Sequence, residues 1–138
     1  MLKLKKHKGF ILVVTMFTAL IVGTTIMGMI YSLSIDLRLA NTHIQSLKSY
    51  YIAEAGIADA IERIRTKGPM QDKKWKSYFP RSARDQYTVS LSKNSSVIQS
   101  IGKTAASGIS RAIKADIKII GNSSPYTVSI NAWQEVTP

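Results

Sequence analysis

The chain contains no cysteine, so disulfides, thiolate metal sites and thiol nucleophiles are all excluded. It also has only two histidines, His7 and His43, which lie too far apart in sequence to indicate a metal site. No nucleophile–base pair, loop with paired carboxylates or phosphate-cradling glycine loop stands out. We therefore expect no cofactor, no metal and no enzymatic activity.

Charge is absent from a long stretch near the N-terminus. Residues 10–35 carry no acidic or basic side chain. As a helix, this segment would be about 39 Å long, which exceeds the roughly 30 Å hydrocarbon core of a bilayer. A secretory signal has an apolar region of only about 7–15 residues. The segment therefore predicts a transmembrane helix.

Four lysines lie just before this segment: Lys3, Lys5, Lys6 and Lys8. Lysines beside a membrane span favour the cytoplasmic side. They predict a single-pass protein of the cytoplasmic (inner) membrane, with its N-terminus inside and its C-terminus outside.

Small and hydroxylated residues interrupt the apolar segment. Gly23 and Gly28 would let another helix approach closely, so both are candidate subunit-packing positions. Threonine and serine hydroxyls in a span can bond to carbonyls one turn back, which makes them tolerable in lipid.

The helical pattern continues beyond the charge-free segment. Apolar or small residues recur three or four positions apart: Ala40, Ile44, Leu47, Tyr51, Ala55, Ala58 and Ile61, with Ile57 and Ile64 widening the stripe. Arg63 and Arg65 precede Gly68 and Pro69, a helix-stop pattern. We predict one helix over residues 10–66, transmembrane over 10–35, whose outer half buries this stripe.

The C-terminal part changes from irregular to period-two patterning. Residues 67–85 have no sustained period and predict an irregular basic connector. Alternation then predicts an antiparallel sheet within residues 86–138, with four strands near 86–92, 96–103, 111–120 and 126–133. The expected inward side chains of the three clearer strands are Tyr87, Val89 and Leu91, then Ile113, Ala115, Ile117 and Ile119, then Tyr126, Val128, Ile130 and Ala132.

A sheet of this size needs a partner to cover its apolar face. About 70 residues are marginal for an independent core, and the outer half of the helix also needs its stripe covered. The two elements predict an α+β fold, in which one long N-terminal helix packs against a small antiparallel sheet.

Cations and aromatic residues alternate within the connector. The candidate DNA-contacting residues are Lys73, Lys74, Trp75, Lys76, Arg81 and Arg84, and Tyr78 and Phe79 lie among them. Single-strand binders combine phosphate contacts with base stacking in this way. The alternative is that the three aromatic side chains pack the connector onto the core while the lysines face water.

The N-terminal region resembles the type IV pilin and pseudopilin superfamily, and within it the PilX-type minor pilins. The resemblance covers roughly residues 5–64 and depends on three features: the leader KKHKG followed by Phe, the element LRLAN, and the element AEAG. Beyond residue 64, only the general plan of a helix followed by a sheet matches.

The resemblance implies that residues 1–9 are a leader peptide. A prepilin peptidase would cut between Gly9 and Phe10 and methylate the new Phe10 amine. Other implied partners are pilins or pseudopilins and the inner-membrane assembly platform, and the mature protein would reach a filament at the cell surface.

Val14 departs from the pattern of most major pilins, which carry glutamate at this position. A carboxylate in lipid costs a few kcal/mol unless it is paired, so valine removes both a cost and an assembly contact. The resemblance therefore implies a minor pilin that acts in assembly, initiation or surface interaction. The alternatives are a pseudopilin of a type II secretion system and a DNA-binding minor pilin of an uptake apparatus.

Processing of the leader is directly testable. In a strain that lacks its prepilin peptidase, the protein should be heavier by the nine residues Met1–Gly9, as measured by intact-mass spectrometry of the membrane fraction. Equal masses in the deletion and parent strains would contradict the predicted cleavage.

Overall fold

The computed structural model describes residues 8–70, 73–79, 84–92 and 96–137. The chain divides into two compact units, Met1–Asn41 and Thr42–Pro138. Its elements are α1 (Lys8–Lys67), β1 (Lys74–Tyr78), β2 (Gln86–Leu91), β3 (Val97–Lys103), β4 (Ser110–Ile120) and β5 (Thr127–Val136). One long helix packed against an antiparallel sheet confirms the predicted α+β class.

The first unit contains the apolar part of α1. Among the described residues, α1 is the one helix long and apolar enough to cross a membrane. Its hydroxyl groups bond within the helix as predicted: Thr15 donates to the Leu12 carbonyl at 2.9 Å, and Thr25 donates to the Ile21 carbonyl at 2.8 Å. Ser34 likewise donates to the Tyr31 carbonyl. These polar groups therefore need no partner from lipid.

The helix ends where its stop pattern predicts. The Gly68 amide donates to the Ile64 carbonyl at 2.8 Å, and Gly68 adopts a φ of 80°. This left-handed conformation suits glycine and closes the last helical turn. The predicted C-terminal end at residue 66 is correct to within one residue.

The sheet is an antiparallel meander in the order β1-β2-β3-β4-β5. The four predicted strands are confirmed, but the predicted strand count and the irregular connector over residues 67–85 are wrong because β1 lies in that segment. β1 is an edge strand whose Trp75 lies opposite Val89 of β2. Its outward positions hold Lys74 and Lys76, and lysines are typical of exposed sheet edges. Because lysines occupy these positions, β1 lacks the clear apolar alternation from which a strand is predicted.

The predicted inward position of Ala132 in β5 is also wrong. The register shifts between Asp116 and Ile117, whose partners in β5 are Ala132 and Ile130. Asn131 is therefore the extra residue of a β-bulge, and a bulge reverses the alternation that follows it. Ala132 moves to the outer face, while Trp133 takes the inner position opposite Ala115.

Ile130 keeps its predicted inner position opposite Ile117, but the expectation that it is buried is wrong. Its side chain is exposed, because β5 forms the open edge of the sheet and α1 leaves this position uncovered.

The core lies between the outer half of α1 and the inner face of the sheet. Its helical members are Ile52, Ala53, Ile57, Ala60 and Ile64, and its main strand members are Tyr87, Val89, Leu91, Ile98, Ile113, Ala115 and Ile117.

Two glycines allow the helix and the sheet to approach each other closely. A Cβ on Gly102 would collide with the backbone of Ser49 and Ala53, and one on Gly56 would meet the Ser100 hydroxyl.

The predicted buried stripe of the helix is only partly confirmed. Ile57 and Ile64 are buried as predicted and Ile61 packs against the core, but Ile44, Leu47 and Tyr51 are 60%, 45% and 61% exposed. The buried face is centred near Ala53, which lies two positions and about 200° around the helix from Tyr51. The helix has apolar residues on two opposite sides, and the side that carries Ala53 and Gly56 faces the sheet because the backbones can approach there.

The close approach at Gly102 predicts a large effect of one added methyl group. Gly102→Ala should lower the free energy of unfolding of the second unit by about 1–3 kcal/mol or more, because rigid backbone must move to make room. Chemical denaturation of the full chain in neutral detergent, followed by tryptophan fluorescence, measures this change.

Lys103→Ala is the matched control, since the neighbouring side chain is exposed on the other face. It should change the stability by less than about 0.5 kcal/mol. Equal stabilities for Gly102→Ala and the control would contradict the proposed close contact.

Candidate functional site

The most prominent uncovered surface of the second unit is the side of α1 opposite the sheet. We call it the back face and define it by Ile44, Leu47, Tyr51 and Ala58, all of which are exposed. A helix that is apolar on two opposite sides is typical of one buried between two layers. Since the sheet covers one side, the back face is the candidate docking surface for another helix.

An ion pair between an exposed lysine and a buried aspartate fixes the orientation of α1 next to the back face. Lys48 Nζ lies 2.7 Å from Asp85 Oδ2, and the Ala105 amide donates to Asp85 Oδ1 at 2.8 Å. Asp85 is only 3% exposed. These contacts connect α1, the residue before β2 and the turn after β3. Hydrogen bonds from Lys48 and from the Ala105 amide lower the pKa of Asp85 below its usual value.

A second cluster attaches β1 to α1. Trp75 Nε1 donates to Asp59 Oδ2 at 2.8 Å, and Arg63 Nε lies 3.1 Å from both oxygens of the same carboxylate. The Arg63 guanidinium also lies over the Trp75 ring, 4.9 Å from its centroid, in cation–π geometry. The cluster therefore holds the edge strand against the helix.

The electrostatics of this cluster favour the charged form of Asp59. Burial alone would raise the pKa of the carboxyl group, but hydrogen bonds from Trp75, Arg63 and Tyr87 outweigh it, so the pKa of Asp59 is lowered. Burial in turn raises the pKa of Tyr87. Asp59 therefore stays ionised and Tyr87 stays protonated at neutral pH, as these hydrogen bonds require.

Further contacts attach α1 to the other edge of the sheet, at β4 and β5. Trp133 Nε1 donates to the Tyr50 hydroxyl at 3.2 Å. Arg111 donates to the Ser46 hydroxyl at 2.8 Å and pairs with Glu135 at 2.6 Å. With α1 fastened to both edges of the sheet, the back face is held pointing away from it.

The predicted processing and packing positions all lie on the first unit's part of α1. Gly9 and Phe10 belong to its first two turns, and Val14 follows one turn later. Phe10 and Val14 are exposed, and a Cβ at Gly9, Gly23 or Gly28 would meet no atom within 4 Å. These positions are therefore accessible within the unit, and the structure gathers them into no compact site.

The structure separates the candidate DNA-contacting residues. Lys73, Lys74, Lys76 and Arg84 are exposed, whereas Arg81 lies outside the described residues. The Trp75 ring is half-buried beneath Arg63, so it is not available to stack on a base and packs as the alternative interpretation predicts.

The other two aromatic side chains of the connector do not pack as that alternative predicts. Tyr78 and Phe79 remain exposed, so the connector aromatics do not all pack onto the core.

The sequence interpretation missed the roles of Asp85 and Asp59. The i,i+4 spacing of Asp59 and Arg63 signals a helical ion pair, but the contribution of Trp75 depends on β1 and has no local signal. Asp85 and Lys48 are far apart in sequence, and no pattern connects them. Among the described residues, no three His, Cys, Asp or Glu side chains are close enough to hold a metal ion.

Comparisons with protein-family models, with curated proteins and with solved structures found no match to this chain.

The Asp85–Lys48 pair predicts a specific pH dependence. A carboxyl group with a lowered folded-state pKa stabilises the protein above its unfolded-state pKa of about 3.9, and this stabilisation is lost as the pH falls through the folded-state value. Asp85→Asn should lower the free energy of unfolding at pH 7 by about 1–3 kcal/mol. The difference from the parent chain should shrink on acidification below about pH 4.

Denaturation curves of the full chain in neutral detergent between pH 3 and pH 7 measure this dependence. Glu135→Gln is the control, because its pair with Arg111 is about half-exposed on both sides and should contribute less than about 1 kcal/mol. A constant difference between Asp85→Asn and the parent chain across this pH range would contradict the role of the ion pair.

Proposed function

We propose that this chain is a minor pilin-like subunit of a type IV pilus or a related filament. It would act in assembly, initiation or surface interaction and carry out no catalysis. The observation that supports this most is the apolar surface that α1 leaves uncovered, both in its membrane-compatible segment and on the back face.

The first unit's part of α1 suits two successive environments. Its apolar side chains are exposed and its described hydroxyl groups bond to its own carbonyls, so the segment can lie in lipid or against other apolar helices. Gly23 and Gly28 leave room for such a helix to approach. The same surface would therefore serve as a membrane anchor before assembly and as a packing surface in a filament.

The leader fits a change between these two environments. Its four lysines would hold the N-terminus in the cytoplasm, and a prepilin peptidase would remove them by cutting between Gly9 and Phe10. The formal net charge would fall from +11 to 11 − 4 = +7. Without these ammonium groups, the helix could leave the membrane along its axis more easily, because four lysine charges would no longer have to cross the lipid.

The back face supplies the packing surface beyond the membrane segment. Ile44, Leu47 and Tyr51 are large and exposed, and burial of each would contribute about 1.5–3 kcal/mol. Neighbouring helices of other pilins would cover them. Val14 supports a minor role, since no carboxylate is present there to pair with the N-terminal amine of a neighbouring subunit.

The same features also suit a pseudopilin of a type II secretion system. That function would use the same anchor, the same cleavage and the same helix packing. The identity of the neighbouring genes distinguishes the two systems.

A double substitution on the back face tests the proposed packing. Leu47→Gln with Tyr51→Gln should leave the protein folded and processed, because both side chains are exposed. Its amount in the sheared filament fraction should fall about tenfold or more, because losing even 1.4 kcal/mol of packing energy changes an equilibrium tenfold. Quantitative immunoblotting of the membrane and filament fractions measures the change.

Ile120→Gln with Thr127→Gln is the matched control, since both side chains are exposed and pair with each other on the sheet, away from the back face. It should enter filaments normally. Equal incorporation of both double variants and the parent chain would contradict a packing role for the back face.

A further inference from the structure

The side of the sheet that faces away from α1 is strongly basic. We call it the outer face, and it alternates along each strand with the buried positions of the core. Its cationic residues are Lys74 and Lys76 on β1, Lys103 on β3, and Lys114 and Lys118 on β4. Among the described residues of these strands, its one acidic side chain belongs to Asp116.

The strand register brings these lysines into one array. Lys74, Ser90, Gln99 and Lys114 lie opposite one another on four consecutive strands. At about 4.8 Å per strand, the backbone positions of Lys74 and Lys114 are about 14 Å apart, whereas those of Lys74 and Lys76 are about 7 Å apart. Neighbouring cations in the array therefore lie within one to two Debye lengths, about 8 Å at physiological ionic strength.

Most of this charge is not neutralised by other residues that the structure describes. Lys114 Nζ lies 3.9 Å from Asp116 Oδ1, a long and exposed contact. Within the part of the chain that the structure describes, Lys74, Lys76, Lys103 and Lys118 have no carboxylate within ion-pairing distance. Asp85, Asp59 and Glu135 of the second unit are paired with other cations. The outer face therefore attracts anions.

The side chains between the lysines indicate which polyanion fits. They are mainly amides and hydroxyls: Gln86, Thr88, Ser90, Gln99 and Gln134. Such groups donate hydrogen bonds to phosphate oxygens. A membrane-binding face would instead need several apolar side chains that enter the lipid. Among the described residues of the outer face, Ile120 is the one exposed large aliphatic side chain.

An aromatic platform lies at one end of the array. Tyr78 is 54% exposed at the end of β1, on the same side as Lys74 and Lys76, and the exposed Phe79 follows it. Exposed aromatic rings beside cations allow the bases of a single strand to stack.

We propose that the outer face of the sheet binds a single-stranded nucleic acid. The lysines contact the phosphates, and Tyr78 provides a surface on which a base stacks, so binding is independent of base sequence. Trp75 has no part in it because Arg63 covers its ring. The proposal does not depend on filament assembly, since the outer face and the back face lie on opposite sides of the second unit.

The test uses the full chain in zwitterionic detergent micelles and a fluorescein-labelled mixed-sequence DNA 20-mer, with binding followed by fluorescence anisotropy. If the four unpaired lysines neutralise about four phosphates, the slope of log K against log salt should be about −3 for single-stranded DNA. The affinity should therefore fall about 50-fold between 50 and 200 mM salt.

Two sets of substitutions locate the surface. Lys74→Gln with Lys118→Gln should reduce the slope to about −1.5, while Arg65→Gln with Lys67→Gln, which removes the same charge outside the outer face, should leave the slope near −3. Tyr78→Ser should weaken binding about fivefold or more without changing the slope.

Three results would overturn the proposal. One is the absence of DNA binding at 50 mM salt. Another is an equal loss of slope in both double variants, which would mean that net charge alone attracts the DNA. The third is the absence of DNA binding together with a preference for phosphatidylglycerol over phosphatidylcholine vesicles that Lys74→Gln with Lys118→Gln abolishes, which would identify the outer face as a membrane surface.

Discussion

The close approach of α1 to the sheet is the constraint on which the rest of the second unit depends. Gly102 has no side chain, so the backbone of β3 can lie against the helix at Ser49 and Ala53. Gly56 likewise has no side chain, so the helix backbone can lie close to Ser100 of β3. Ala53 and Gly56 leave room for this approach and Ile52, Ile57 and Ile64 pack beside them, so this side of α1 faces the sheet. Ile44, Leu47 and Tyr51 are then left on the opposite side, which creates the back face.

The polar contacts around the core maintain this arrangement at its edges. Asp59 joins the helix to Trp75 of β1, Asp85 joins it to the turn after β3 through Lys48, and Tyr50 joins it to Trp133 of β5. Each contact uses a side chain next to the buried stripe rather than within it. The apolar core sets the distance between the layers, and these contacts set which way the helix is turned. Two uncovered surfaces follow, an apolar one on the helix and a basic one on the sheet.

Much of the fold could be predicted from residue periodicity, and the failures have definite physical reasons. The helix end at Gly68 and the strands β2 to β4 follow from local patterns that tertiary contacts do not alter. β1 was missed because lysines occupy the outward positions of an edge strand. Ala132 was misplaced because the bulge at Asn131 is set by pairing with β4. The buried stripe was partly misassigned because α1 is apolar on two sides, and only the close contact with Gly102 of the sheet decides which side is covered.

The sequence by itself determined the charge-free helix, the basic leader, the period-two strands and the excess of positive charge, since each depends on residues that are neighbours along the chain. It also located Gly9 and Phe10, which contribute to the resemblance to pilins, and Val14, which departs from the pattern of most major pilins. Only the tertiary structure decided which side of α1 is buried, that Trp75 lies beneath Arg63, and that lysines from three strands share one face. These outcomes depend on contacts between residues far apart in sequence, where strand register and side-chain volume, rather than local pattern, determine the result.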